Sequence, residues 1–143
     1  MNDEDQYSFA KKQAVRKLTR QSQSGNKLRK ALIEKEISEE VVDQVINDFT
    51  AAGYINDEEY AIRLIHREME RFRGPRWIKQ KLYAQGISSS LSDKLLTEHY
   101  PREIQTEKAK ALLGKKKCDP RKQYGLLVRN GFNPDVVYDS NYQ

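Results

Sequence analysis

The 143 residues include one cysteine, Cys118, along with four prolines, one tryptophan and two histidines. A lone cysteine cannot close an internal disulfide, so a reducing compartment, the cytoplasm, is expected. The opening Met1-Asn2-Asp3-Glu4-Asp5 is acidic and polar, unlike a signal peptide. No apolar run approaches the roughly 20 residues that span a bilayer, so no membrane partner is expected. Useful lengths of apolar–polar alternation, the mark of a half-buried strand, are missing as well. There is no glycine-rich phosphate loop and no metal-ligand spacing. His66 and His99 lie far apart in the sequence and read as surface or capping residues. Cys118 sits among Lys115, Lys116, Lys117 and Arg121, a setting that favours a thiolate, but no histidine lies beside it to complete a nucleophilic pair. Asp57-Glu58-Glu59 places acids where a helix N-terminus favours them rather than pairing them for catalysis. These gaps argue against an enzyme and against a bound cofactor or metal.

What the chain does contain is charge and repetition. Charged residues make up 33% of it and apolar residues 37%, which suits helices that each bury one stripe. Leu28, Leu32, Ile37, Ser38, Val41, Val45 and Ile46 return fifty positions later as Ile78, Leu82, Ile87, Ser88, Leu91, Leu95 and Leu96. Forty-five positions further on, Leu82, Gly86, Ile87 and Leu91 are answered by Leu127, Gly131, Phe132 and Val136, and Pro75 by Pro120. A copied helical unit usually forms a surface for holding something long. The expected fold is all-α. Three tandem three-helix repeats make an elongated, curved molecule whose last repeat is truncated. The divisions are a flexible N-terminus over 1–6, then repeats over 7–55, 56–100 and 101–143.

Local signals place the helices. Tyr7, Ala10, Ala14 and Leu18 share one face of a first helix. Ser38 and Ser88 read as N-caps, Asn56 as a cap with Glu59 at the capping-box position, and Asp119-Pro120 as a capped start. Gly53, Gly86 and Gly131 read as stops. After Asn133-Pro134 the chain has no length for a full further helix before the polar Asp139-Ser140-Asn141-Tyr142.

The basic residues fall into stripes. Lys12, Arg16 and Arg20 are spaced i, i+4, i+8, and so are Arg63, Arg67 and Arg71. A shift of 47 carries Arg16 and Arg20 onto Arg63 and Arg67. Arg73, Arg76, Lys79 and Lys81 extend the second stripe, and Lys115, Lys116, Lys117 and Arg121 add a third group. A single stripe of this kind is ordinarily a solvated face, partly neutralised here by Glu68 and Glu70. Two at matching positions favour a surface for an anionic partner. Trp77 and Tyr83 could stack on bases or anchor a protein, and Trp77 could equally close a small core.

Gly53-Tyr54-Ile55-Asn56-Asp57-Glu58-Glu59-Tyr60-Ala61 resembles the glycine–aromatic–aliphatic–acidic junction of the RecX family of recombinase regulators. Gly74-Pro75-Arg76-Trp77-Ile78-Lys79-Gln80-Lys81-Leu82 followed by Gly86-Ile87 is similar to that family's central segment. Ser24 and Leu127-Val128-Arg129-Asn130-Gly131-Phe132 fit its first- and last-repeat motifs, in the right order over about residues 7–138. Asn56 in the acidic pair and Gln23 in place of an arginine depart from the pattern. The residues themselves point to a non-enzymatic chain, and self-capping repeats to a monomer; the resemblance implies a modulator of the RecA recombinase. It would lie in the groove of the RecA–single-stranded DNA filament and restrain ATP hydrolysis and strand exchange. Arg16, Arg20, Arg63, Arg67, Arg71, Arg73, Arg76, Trp77, Lys79, Lys115, Lys116, Lys117 and Arg121 are the residues expected to face RecA or DNA. The competing readings are a stand-alone helix-turn-helix-like DNA-binding protein and a protein–protein adaptor.

Overall fold

The computed structural model describes residues 2–117 and 119–138, so Cys118 and the polar end after Tyr138 lie outside the described residues. Among these the secondary structure is nine α-helices: α1 (Asp3–Arg20), α2 (Gly25–Ile33), α3 (Glu39–Ala51), α4 (Asp57–Glu70), α5 (Pro75–Ala84), α6 (Ser89–His99), α7 (Arg102–Lys116), α8 (Pro120–Arg129) and α9 (Asp135–Tyr138). The all-α expectation holds, and the helices follow as three groups of three. The last helix is four residues long.

The helix ends follow from local chemistry. The Ser38, Asn56, Ser88 and Asp119 side chains accept the backbone N–H groups of Val41, Glu59, Leu91 and Arg121 at 3.4, 3.1, 3.2 and 2.9 Å. Each satisfies one of the donors that a helix start leaves free. The first helix begins at Asp3, ahead of Tyr7 where the repeat signal starts. Asn2 caps it by accepting from Asp5 N at 2.8 Å, and Asp3, Glu4 and Asp5 lie in its first turn, where the dipole favours them. Gln6 is tied down too, since its side-chain oxygen accepts Ser38 N at 3.0 Å.

The helices divide between two compact units. One holds residues up to 60 together with Gln85–Ile87, and the other holds Ala61–Ala84 with the chain from Ser88 onward. In the first unit α1 packs on α2 and α3, which also pack on each other. Its core is Ala10, Ala14, Leu28, Leu32, Val41, Val42, Val45 and Phe49, all buried, with Ile37 and Ile55 closing it. The small Ala10 and Ala14 let α1 come close. Truncating a buried leucine such as Leu28 or Leu32 in such a core costs about 2–5 kcal/mol. In the second unit α5 packs on α6, and α7 packs on α8 and α9. Leu64, Ile65, Ile78, Leu82, Leu95, Leu112, Leu127 and Phe132 are buried there. The Thr106 hydroxyl donates to the Val136 carbonyl at 2.9 Å, tying α7 to the short α9.

Each unit contains one tight joint between a helix start and a glycine turn. In the first, buried Ser24 caps α2 and its Oγ donates to the Gln85 carbonyl at 2.7 Å. Gly25 N donates to Asp57 Oδ1 at 2.9 Å, and a Cβ on Gly86 would lie 2.4 Å from Asn26 Cβ. In the second, Gly74 N donates to the Asn130 carbonyl at 2.7 Å and Arg76 N to the Gly131 carbonyl at 3.0 Å. A Cβ on Gly74 would meet the Gly131 carbonyl at 2.4 Å, and one on Gly131 would meet Trp77 N at 2.4 Å. The repeat shifts of 50 and 45 residues carry Ser24 onto Gly74 and Gln85-Gly86 onto Asn130-Gly131, so the joint is itself part of the repeat.

Candidate basic surface for an anionic partner

Helix α4 sets out the central stripe. Ala61, Leu64, Ile65 and Met69 are buried, which leaves Arg63 and Arg67 exposed, with Arg71 just past the helix end. Glu68 shares the inward side, three residues after Ile65 and four after Leu64, and its side chain is only 2% exposed. Its Oε1 gathers three cations: Lys81 Nζ at 3.0 Å, Arg71 Nη1 at 3.2 Å and Arg67 Nε at 3.6 Å. The partners are 37%, 61% and 47% exposed respectively, so a buried carboxylate lies beneath surface cations. Burial pushes the Glu68 carboxyl up, but the Lys81 hydrogen bond and the charges of Lys81, Arg71 and Arg67 outweigh it. The group ends below the usual carboxylate range and stays ionised at neutral pH.

Other members of the expected set are committed within the fold. Arg73 is half-buried: Nη1 donates to Asn130 Oδ1 at 2.7 Å and its guanidinium lies 3.9 Å from the Trp77 ring centroid. The buried Tyr100 hydroxyl donates to the Arg73 carbonyl at 2.8 Å, and burial pushes that phenol well above its ordinary range. Lys79 pairs with Asp93 at 2.7 Å and Arg121 with Asp119 at 3.0 Å. The Lys115 and Lys108 ammonium groups lie 5.1 and 5.4 Å from the Phe72 ring centroid. By contrast, Arg16 and Arg20 on α1, Arg76 on α5, and Lys116 and Lys117 are exposed, without an ion pair among the described residues. Tyr83 is 79% exposed and Trp77 36%.

Sequence reasoning took Glu68 for a surface neutraliser and therefore missed the cation cluster it organises. Its i+3 and i+4 spacing from Ile65 and Leu64 was the available signal for burial. His66 and His99 lie at the surface and meet there: His66 Nε2 lies 3.0 Å from His99 Nδ1, with the rings perpendicular. The fold brings the two histidines together because α4 and the end of α6 belong to one unit. Among the described residues no group of three or more His, Cys, Asp or Glu side chains is arranged to hold a metal, and no helix is long and apolar enough to cross a membrane.

Repeated three-helix groups and glycine-tight joints define an all-helical repeat protein, here with a cluster of cations around one buried carboxylate. Comparison with known proteins gives the family. Residues 10–49 match the model of the first three-helix domain of RecX, and residues 56–96 match that of the second. Proteins called regulatory protein RecX from Bacillus cytotoxicus and Bacillus thuringiensis strain Al Hakam are 30% and 32% identical over 95% of this chain. The chain spans about half the length of these curated relatives, 53% in both cases. The crystal structure of RecX from Lactobacillus salivarius superposes with a TM-score of 0.85 at 24% identity, covering 96% of each chain. A second structure, of regulatory protein RecX, gives 0.85 at 25% identity, covering 99% of this chain and 74% of the other. The chain belongs to the RecX family.

Proposed function

We propose that this chain is a non-enzymatic, cytoplasmic regulator that binds, as a monomer, in the groove of the RecA–single-stranded DNA filament and restrains ATP hydrolysis and strand exchange. Its three helical units are taken as 7–55, 56–100 and 101–143. The observation that supports the reading is a RecX-family chain presenting Arg67, Arg71 and Lys81 around a buried carboxylate, with Arg63 one turn earlier on the same helix. Arg16, Arg20, Arg76, Lys116 and Lys117 are the further cations assigned to RecA or DNA. Arg73, Trp77, Lys79, Lys115 and Arg121 keep their place in the set but act from positions fixed by intramolecular partners. Charge-assisted contacts with a filament of phosphates and acidic side chains weaken with salt.

The test is RecA ATPase on single-stranded DNA with and without the protein, beside a gel shift on DNA alone. Inhibition at substoichiometric protein with weak binding to bare DNA is the expected result. Tight, sequence-specific duplex binding without an ATPase effect would instead favour the helix-turn-helix-like reading. No effect in either assay would leave a protein–protein adaptor. Reversing the charge of Arg67, Arg71 and Arg76 together should abolish filament binding.

A further inference from the structure

Three cations surround one buried carboxylate oxygen, more than neutrality requires. Lys81 alone offsets Glu68 at 3.0 Å, yet Arg71 at 3.2 Å and Arg67 at 3.6 Å converge on the same Oε1. Their positive charges therefore lie within about 7 Å of one another, a distance at which they repel unless an anion lies between them. Glu68 lies between them from below and leaves a surplus of two positive charges at the surface. Arg67 and Arg71 are exposed and Lys81 partly so, and each has N–H donors left over, since a guanidinium carries five and an ammonium three.

We propose that Glu68 is a positioning residue, whose buried carboxylate gathers Arg67, Arg71 and Lys81 into a preformed seat for a phosphodiester of single-stranded DNA. This deepens the function proposed above and rests on it. Preorganisation is the physical gain: long, flexible side chains lose rotamer freedom on folding rather than on binding. Nucleic acid is favoured over an acidic peptide by Trp77, four residues before Lys81 and so on the same side of α5. It is 36% exposed and held by the Arg73 guanidinium, giving a base a π-surface one turn from the phosphate seat. Arg63, one turn earlier on α4 at about 6 Å of rise, continues the track to a neighbouring phosphate.

The experiment uses fluorescence anisotropy of a labelled oligo-dT with the full chain, titrated over salt. Lys81→Gln is expected to lower affinity about three- to tenfold and to reduce the salt slope by about one. Glu68→Gln keeps every cation and makes the protein more positive, so simple electrostatics calls for tighter binding. A positioning role calls for the opposite, a similar loss of affinity and a shallower slope. Tighter or unchanged binding by Glu68→Gln, even with a lowered melting temperature, would overturn the proposal and leave Glu68 a structural staple. Should Glu68→Gln fail to fold, wild-type binding by Lys81→Gln would overturn it alone. Equal displacement of the oligonucleotide by polyglutamate at matched charge would also overturn it, in favour of an acidic protein partner. The broader reading fails separately, if reversing Arg67, Arg71 and Arg76 together leaves RecA-filament binding intact.

Discussion

The two glycine joints perform the same task with different atoms. In the first unit, a side chain mediates the contact, with Ser24 Oγ reaching the Gln85 carbonyl and the Asn26 side chain facing Gly86. In the second, backbone meets backbone, through Gly74 N to the Asn130 carbonyl and Arg76 N to the Gly131 carbonyl. A side-chain joint can be re-cut by substituting that side chain. A backbone joint has no such freedom, because the obstacle is the chain itself. The two copies should therefore differ in how they tolerate change and how they can be repaired.

Gly131→Ala gives the largest expected effect. Gly131 has φ +88°, and an added Cβ would press on Trp77 N at 2.4 Å and Trp77 Cβ at 2.6 Å. Left-handed strain and overpacking together should cost about 3 kcal/mol in urea unfolding, with no single side-chain change restoring it. Gly86→Ala, at φ +81°, should cost about 2 kcal/mol for the same two reasons. Here all three nearest obstacles belong to the Asn26 side chain. Asn26→Gly should then rescue the variant, leaving the double mutant at least about 1 kcal/mol better than the sum of the singles. Additivity in that cycle would remove the distinction between the joints.

Removing the Ser24 hydroxyl probes the first joint from its other side. Ser24→Ala loses both the cap on Lys27 N and the bond to the Gln85 carbonyl, and should cost about 1–2 kcal/mol. The second joint has no equivalent, since Gly74 stands at that repeat position.

Acid should separate the units by another route. Glu68, in the second unit, has its carboxyl held below the ordinary range by its three cations despite burial. A depressed folded pKa contributes stability above the unfolded value, about 4.3 for a glutamate, and loses it as pH falls through the folded value. Melting below about pH 4.5 should therefore weaken probes in the second unit, and Glu68→Gln should flatten that dependence.

Much of the fold was legible because helix starts and stops are written within three or four residues. Ser38, Asn56, Ser88 and Asp119 each cap the helix expected of them, and the glycines end theirs. The contents of the joints were not legible, since Ser24 finds Gln85 across sixty-one residues and Arg73 finds Asn130 across fifty-seven. The candidate surface divides the same way. Spacing located the Arg63–Arg67–Arg71 stripe. Which of its neighbours were already occupied, Arg73 by Asn130 and Lys79 by Asp93, depends on residues that only folding brings near.

The smallest expected effect tests why the joint glycines are glycine at all. Glu36 occupies their position in the first repeat, fifty residues before Gly86, and it too has a positive φ, +62°. The turn therefore demands a left-handed residue in all three copies. Glu36 is exposed, whereas a Cβ added to Gly86 or Gly131 would lie 2.4 Å from another segment of the chain. Backbone conformation alone thus tolerates a side chain at some cost, and close approach is what excludes one. Glu36→Gly should relieve left-handed strain worth roughly 1–2 kcal/mol while adding freedom to the unfolded chain worth about 0.4–1. The net expectation is a gain of about 0.5–1 kcal/mol in urea unfolding, opposite in sign to every alanine put into the other two turns. A loss at Glu36 would mean that its side chain contributes more than its backbone costs, and that the three turns are not one device repeated.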